Sequence, residues 1–159
     1  MSCSAVAFSA MLWFASSSAV PVQAAPAVAT APPSVAGEPL FADIVRRAAG
    51  LKTEAEAYRK TLAADPAAPA VTLKGAEAFG AKIAELSALD MKGHLALKER
   101  GAVDDLKCIL RGISVDLPEK LAAMNAAKTV KDQDMALRDM VYLLNDNVEV
   151  ITAPPTPPA

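Results

Sequence analysis

The chain has 159 residues and a net charge of -2: long enough for one domain with one core, and without the clustered basic face that nucleic acid requires. Aromatic residues make up only 4%, and Phe8, Trp13 and Phe14 fall near the N-terminus, so a core must be built mostly from Leu, Ile, Val, Met and Ala. β-Branched runs with period-two alternation are nearly absent, which argues against a sheet.

Residues 1–24 read as a secretory signal peptide. Ala5 to Ala15 is apolar but too short to span a bilayer comfortably. Ser16 to Ser18 dilute it, and Val22-Gln23-Ala24 offers small residues to a signal peptidase, so cleavage is expected after Ala24. The first residues lack Lys and Arg, which leaves an uncleaved anchor extending through Val20, or a buried N-terminal helix, as alternatives. Cys3 precedes the apolar run, so there is no lipobox. The expected address is outside the cytoplasm, in the periplasm, with no stable membrane span after cleavage. Residues 25–39 are rich in Ala and Pro and predict a disordered linker with polyproline II character.

The helical domain is expected over residues 40–151. In its first segment Phe41, Ile44, Ala48, Leu51, Ala55, Tyr58 and Leu62 recur once per turn and form one stripe. Pro39 suits the first turn, where its missing N–H would be unpaired anyway. Lys52–Glu56 and Glu56–Lys60 are one turn apart on the outer face, and Asp65-Pro66 ends the segment. The second helix is expected from an N-cap at Thr72, with a stripe through Ala76, Phe79, Ile83, Leu86, Asp90, His94 and Leu97 and a stop at Gly101. Leu89, Met91 and Leu95 rotate off that stripe, which predicts a bend or a change of packing partner near Gly93.

The third helix opens at Asp104 and Asp105, carboxylates that suit a helix start. Its stripe of Val103, Leu106, Leu110, Ile113, Leu117, Leu121 and Met124 continues through Pro118, which predicts a kink there or two helices in tandem. The fourth begins at Thr129, with Asp132 completing an imperfect capping box, and faces inward through Val130, Leu137, Met140, Leu144 and Val148. Asp134–Arg138 is a surface pair. Asn145, Asp146 and Asn147 suggest fraying, with Val148 to Ile151 extended. Residues 152–159, with Pro154, Pro155, Pro157 and Pro158, read as a disordered tail. Connections of about two to eight residues make consecutive helices antiparallel. The predicted fold is all-α: an up-down-up-down antiparallel four-helix bundle with its third helix kinked near Pro118.

Few residues could carry chemistry. His94 is the one histidine and shares a face with Asp90, one turn back. Such a pair can orient an imidazole for proton transfer or ligation, but no third partner is evident in the sequence. The alternative is a histidine near the bundle's end, hydrogen-bonded by Asp90 or open to water. Cys108 is the one cysteine left after the leader. On a regular helix it points away from the Leu106–Leu110–Ile113 stripe, alongside Asp104 and Arg111. It is a candidate free thiol or intermolecular disulfide linking a homodimer. Its alternative is a small buried hydrophobe beside Val115. Met135 and Tyr142 lie off the inner stripe, where they could contact a partner or the linker. Asn145-Asp146-Asn147 with Glu149 is oxygen-rich but lacks the spacing and glycine of a calcium loop.

The expected architecture resembles that of secreted four-helix haem proteins of the cytochrome b562 and cytochrome c′ type. The resemblance is architectural only: there is no CxxCH, and His94 lies on the second helix rather than near the end of the fourth. The leading expectation is a non-enzymatic exported bundle, with no cofactor and no catalytic or metal site, that binds a protein partner in the envelope. The alternative is a small-ligand or haem-type carrier with His94 as its one candidate histidine ligand.

Overall fold

The computed structural model describes residues 34–102 and 105–153. The leader, most of the linker, residues 103 and 104 and the tail from 154 lie outside the described residues, and so do the expectations made for them. Four helices account for most of the described residues: α1 (Pro39–Thr61), α2 (Ala76–Glu99), α3 (Leu106–Ala126) and α4 (Val130–Thr152). Each packs against its neighbours in chain order and α4 closes back on α1, leaving α1–α3 and α2–α4 as diagonals. The start of α1 meets the end of α2, where Phe41 and Ile44 approach Gly93, and its end meets the start of α2, where Tyr58 stacks edge-on against Phe79 with ring centres 5.3 Å apart. Lys52–Asn145 and Arg59–Asp134 order α1 against α4 in the same opposed sense. The protein is an antiparallel up-down-up-down four-helix bundle.

The stripes explain the arrangement. Every apolar residue of the α1 stripe from Phe41 to Tyr58 is buried, with Leu62 half-buried beyond the helix end. Pro39 occupies the first turn as its geometry requires. α2 runs through Gly93 without a break because Gly93 sits where three helices meet. A Cβ there would lie 3.1 Å from Leu110 Cδ1 and 3.3 Å from Phe41 Cε1. The helix stops in a Schellman turn: Gly101, with φ +68°, donates its N–H to the Lys98 carbonyl, and Ala102 donates to Leu97. α3 is one continuous helix with Pro118 inside it, not two in tandem.

Several boundaries differ from the sequence expectation. α2 starts at Ala76 after Gly75, whose φ of +81° is left-handed, and Thr72 caps nothing. The connection over residues 62–75 is longer than expected, but it is tied down. Gln133 of α4 accepts from the Val71 N–H at 3.0 Å and donates to the Val71 carbonyl at 2.9 Å. Backbone bonds join Ala70 to Lys128 and Val130 to Ala68, laying the strap across the α3–α4 turn. At the other end, residues 34–38 are not a solvated extended chain. Glu38 N–H closes a turn on Val35, Val35 and Ala36 pack on the core, and Ser34 Oγ donates to the Ile151 carbonyl.

α4 shows the largest difference. It neither frays at Asn145 nor becomes extended at Val148; it stays helical to Thr152. Its inward line is Val130, Gln133, Leu137, Met140, Leu144, Asn147 and Ile151, which takes in two amides and leaves Val148 half-buried. Thr129 does cap it, accepting from the Asp132 N–H at 3.2 Å, while the Thr129 hydroxyl donates to the Asp132 carboxylate at 2.7 Å. The expected surface pairs are also re-sorted by neighbouring helices. Lys52 donates to Asn145, Arg59 takes Asp134, and Arg138 turns to Asp139.

Candidate functional site

The polar centre of the molecule lies between α2 and α4. Asp90 and Asn147 are both 0% exposed. Asn147 Nδ2 donates to the two carboxylate oxygens of Asp90 at 3.0 and 2.9 Å. Asn147 Oδ1 is buried and has no hydrogen-bond partner. The bond spans a diagonal of the bundle whose backbones do not otherwise approach, so it joins two helices that apolar packing leaves apart. Burial pushes the Asp90 carboxyl up to about 7, and the Asn147 bond only partly opposes that rise. An ionised carboxylate in apolar surroundings loses hydration that one amide cannot replace.

His94 is half-buried one turn further along α2, and the expected Asp90–His94 pair does not form. Its Nδ1 lies 2.5 Å from the Lys107 carbonyl oxygen at the start of α3. A carbonyl can only accept, so Nδ1 carries a proton, and in the neutral ring Nε2 keeps the lone pair. The two side chains diverge: Asp90 reaches across to Asn147 of α4, while His94 reaches the start of α3. Lys107 in turn donates its ammonium to the Ala102 carbonyl, closing the α2–α3 corner.

Cys108 is half-buried in the first turn of α3, where its N–H donates to Asp105 at 2.9 Å. Val115, its expected apolar neighbour, is 49% exposed and so provides no buried pocket for it. Met135 and Tyr142 stand outward from α4 as expected, Tyr142 being 70% exposed. Leu95 also projects from the outer face of α2. Asn145 is occupied by Lys52 and Glu149, so the oxygen-rich run at the end of α4 is divided between the core and two surface partners. Among the described residues no three His, Cys, Asp or Glu side chains converge on a metal-sized site.

Asn147 is the site residue that the sequence reading missed. The signal was present: it lies three positions after Leu144 and seven after Met140, in phase with the inward line. The run Asn145-Asp146-Asn147, taken alone, resembles a helix end.

Fold and site together define an antiparallel four-helix bundle with a buried acid–amide pair across one diagonal. The chain matches no known family model, no characterised protein and no solved structure.

Proposed function

We propose that this is an exported, non-enzymatic helical bundle that works by binding a protein partner in the cell envelope. The observation that carries the reading is the exposure of large apolar side chains on an otherwise well-filled bundle, Tyr142 above all, with Met135 two turns away on the same side of α4. Arg138 lies between them in sequence and, with Tyr142, supplies the side-chain types that anchor interfaces. Asp90 is sealed from solvent with Asn147, and the His94 Nδ1 is tied to a backbone carbonyl. The leader over residues 1–24 supports the periplasmic address. Recovery of an envelope protein on the immobilised mature chain, lost with Tyr142→Glu, is the expected result. Identical recovery by both proteins, or none by either, would overturn it.

A haem-type or small-ligand carrier is the second reading, and one feature favours it. A histidine whose Nδ1–H is held by a carbonyl presents Nε2 in a fixed orientation, the arrangement common for ligating imidazoles. Haem added to the purified protein should then give a ligand-field spectrum that His94→Ala lacks. An unchanged spectrum of free haem would remove this reading.

A further inference from the structure

The Asp90–Asn147 pair has more acceptors than protons. The two Nδ2 hydrogens serve the two carboxylate oxygens, and Asn147 Oδ1, which cannot accept from its own amide, receives none. A third proton balances the set. With Asp90 as the neutral acid, its O–H donates to Asn147 Oδ1 while one Nδ2 hydrogen donates to the other carboxyl oxygen, forming a closed acid–amide ring. The adjustment needed is a rotation of the Asn147 amide about its last torsion, which is soft.

The surroundings give an ionised carboxylate no help. Phe41 and Ile44 of α1 and Leu110 of α3 close on Gly93, one turn from Asp90, and Leu144 and Ile151 flank Asn147 on α4, all buried. The charged and titratable groups of the four helices nearby are engaged elsewhere or directed outward. On α1, Arg47 holds Asp43 and Glu85, and Lys52 holds Asn145. On α2, His94 goes to the Lys107 carbonyl, and Lys92 is exposed. On α3, Lys107 goes to Ala102, Arg111 is exposed, and Asp116 is half-buried off the core line. On α4, Glu149 accepts from Asn145, and Asp146 is a half-buried acid, itself pushed up by burial and then by Glu149. Among the described residues no cation pairs with Asp90.

We propose that the folded protein takes up one proton at Asp90, and that the neutral Asp90–Asn147 pair is a pH-sensitive latch across the α2–α4 diagonal. Loss of the proton to solvent at higher pH leaves a buried charge facing a single amide. The proton balance is one taken from water on folding and one returned on release. Because the pair ties α2 to α4 across the bundle, its failure loosens the end where both helices finish.

The test uses the full mature chain. Denaturant unfolding of wild type and Asp90→Asn is followed from pH 4 to pH 8. Relative to the variant, the wild-type unfolding constant should rise with pH, by at most about tenfold per unit for one proton. Superimposable pH profiles would overturn the latch. Should Asp90→Asn fail to fold, the side-chain carboxyl carbon of Asp90 is titrated by NMR in labelled wild type. The acid form at pH 5.5 supports the proposal, and the carboxylate form at pH 5.5 overturns it.

Discussion

Removing one half of the Asp90–Asn147 pair and removing both halves should have different consequences. Asn147→Leu leaves a buried carboxyl without its amide and should cost about 1–3 kcal/mol in denaturant unfolding. Asp90→Leu with Asn147→Leu replaces both polar groups by apolar ones of similar volume and should recover most of that loss. A double variant no more stable than the sum of the single ones would show that the two residues do not act as a unit. Leu110, also fully buried, tests the core directly: Leu110→Asp should abolish cooperative folding by circular dichroism, because a lone buried charge outweighs a marginal net stability.

At the level of elements, three of the four helix-interior glycines give clear expectations about packing. Gly50 and Gly112 have open space where a Cβ would go, so alanine there should stabilise the protein by about 0.8–1 kcal/mol through helix propensity alone. Gly93 is the opposite case. Its Cβ would press on Leu110, Phe41 and Ile44, all core side chains with little room to move, and overpacking of this kind costs about 1–3 kcal/mol. Gly93→Ala should therefore lower the melting temperature while the other two raise it. The α4 cap gives a further expectation at this scale: Thr129→Ala should cost about 1 kcal/mol, because one first-turn N–H loses its acceptor. An unchanged unfolding midpoint would mean that the strap over residues 62–75 holds the turn without the cap.

For the whole molecule, surface and core carboxyls respond to pH in opposite directions. The Arg47 and Arg46 bonds hold Asp43 below its ordinary value, the Arg100 bond does so for Glu38, and the Lys120 bond for Asp139. Their contribution is present above the unfolded pKa of about 4 and is lost as pH falls through the lowered values; for exposed pairs it is small. Asp90, pushed up to about 7, behaves inversely. Its contribution is complete below the unfolded value near 4 and is lost as pH rises from there through about 7. Thermal unfolding across pH should therefore show greatest stability in the mildly acidic range. A maximum at or above pH 8 would contradict the assignment of the buried acid.

Once-per-turn recurrence of apolar residues was enough to locate four helices, because helical phase is a local property that needs no knowledge of neighbours. Phe41 to Tyr58 and Leu106 to Met124 faced inward as their phases required, and Pro39, Gly101 and Thr129 acted where backbone geometry demands such residues. What sequence could not decide was which polar residue would be drawn into a stripe and whom it would meet. His94 and Asp90 share a helix face, yet one reaches α3 and the other α4. Asn147 looked like a helix end until Asp90 gave it a partner across the bundle. Gln133, omitted from the inner face, is buried because Val71 offers both of its backbone groups. A buried polar group is acceptable only where a distant segment supplies its hydrogen bond, and that distance is set by tertiary packing alone.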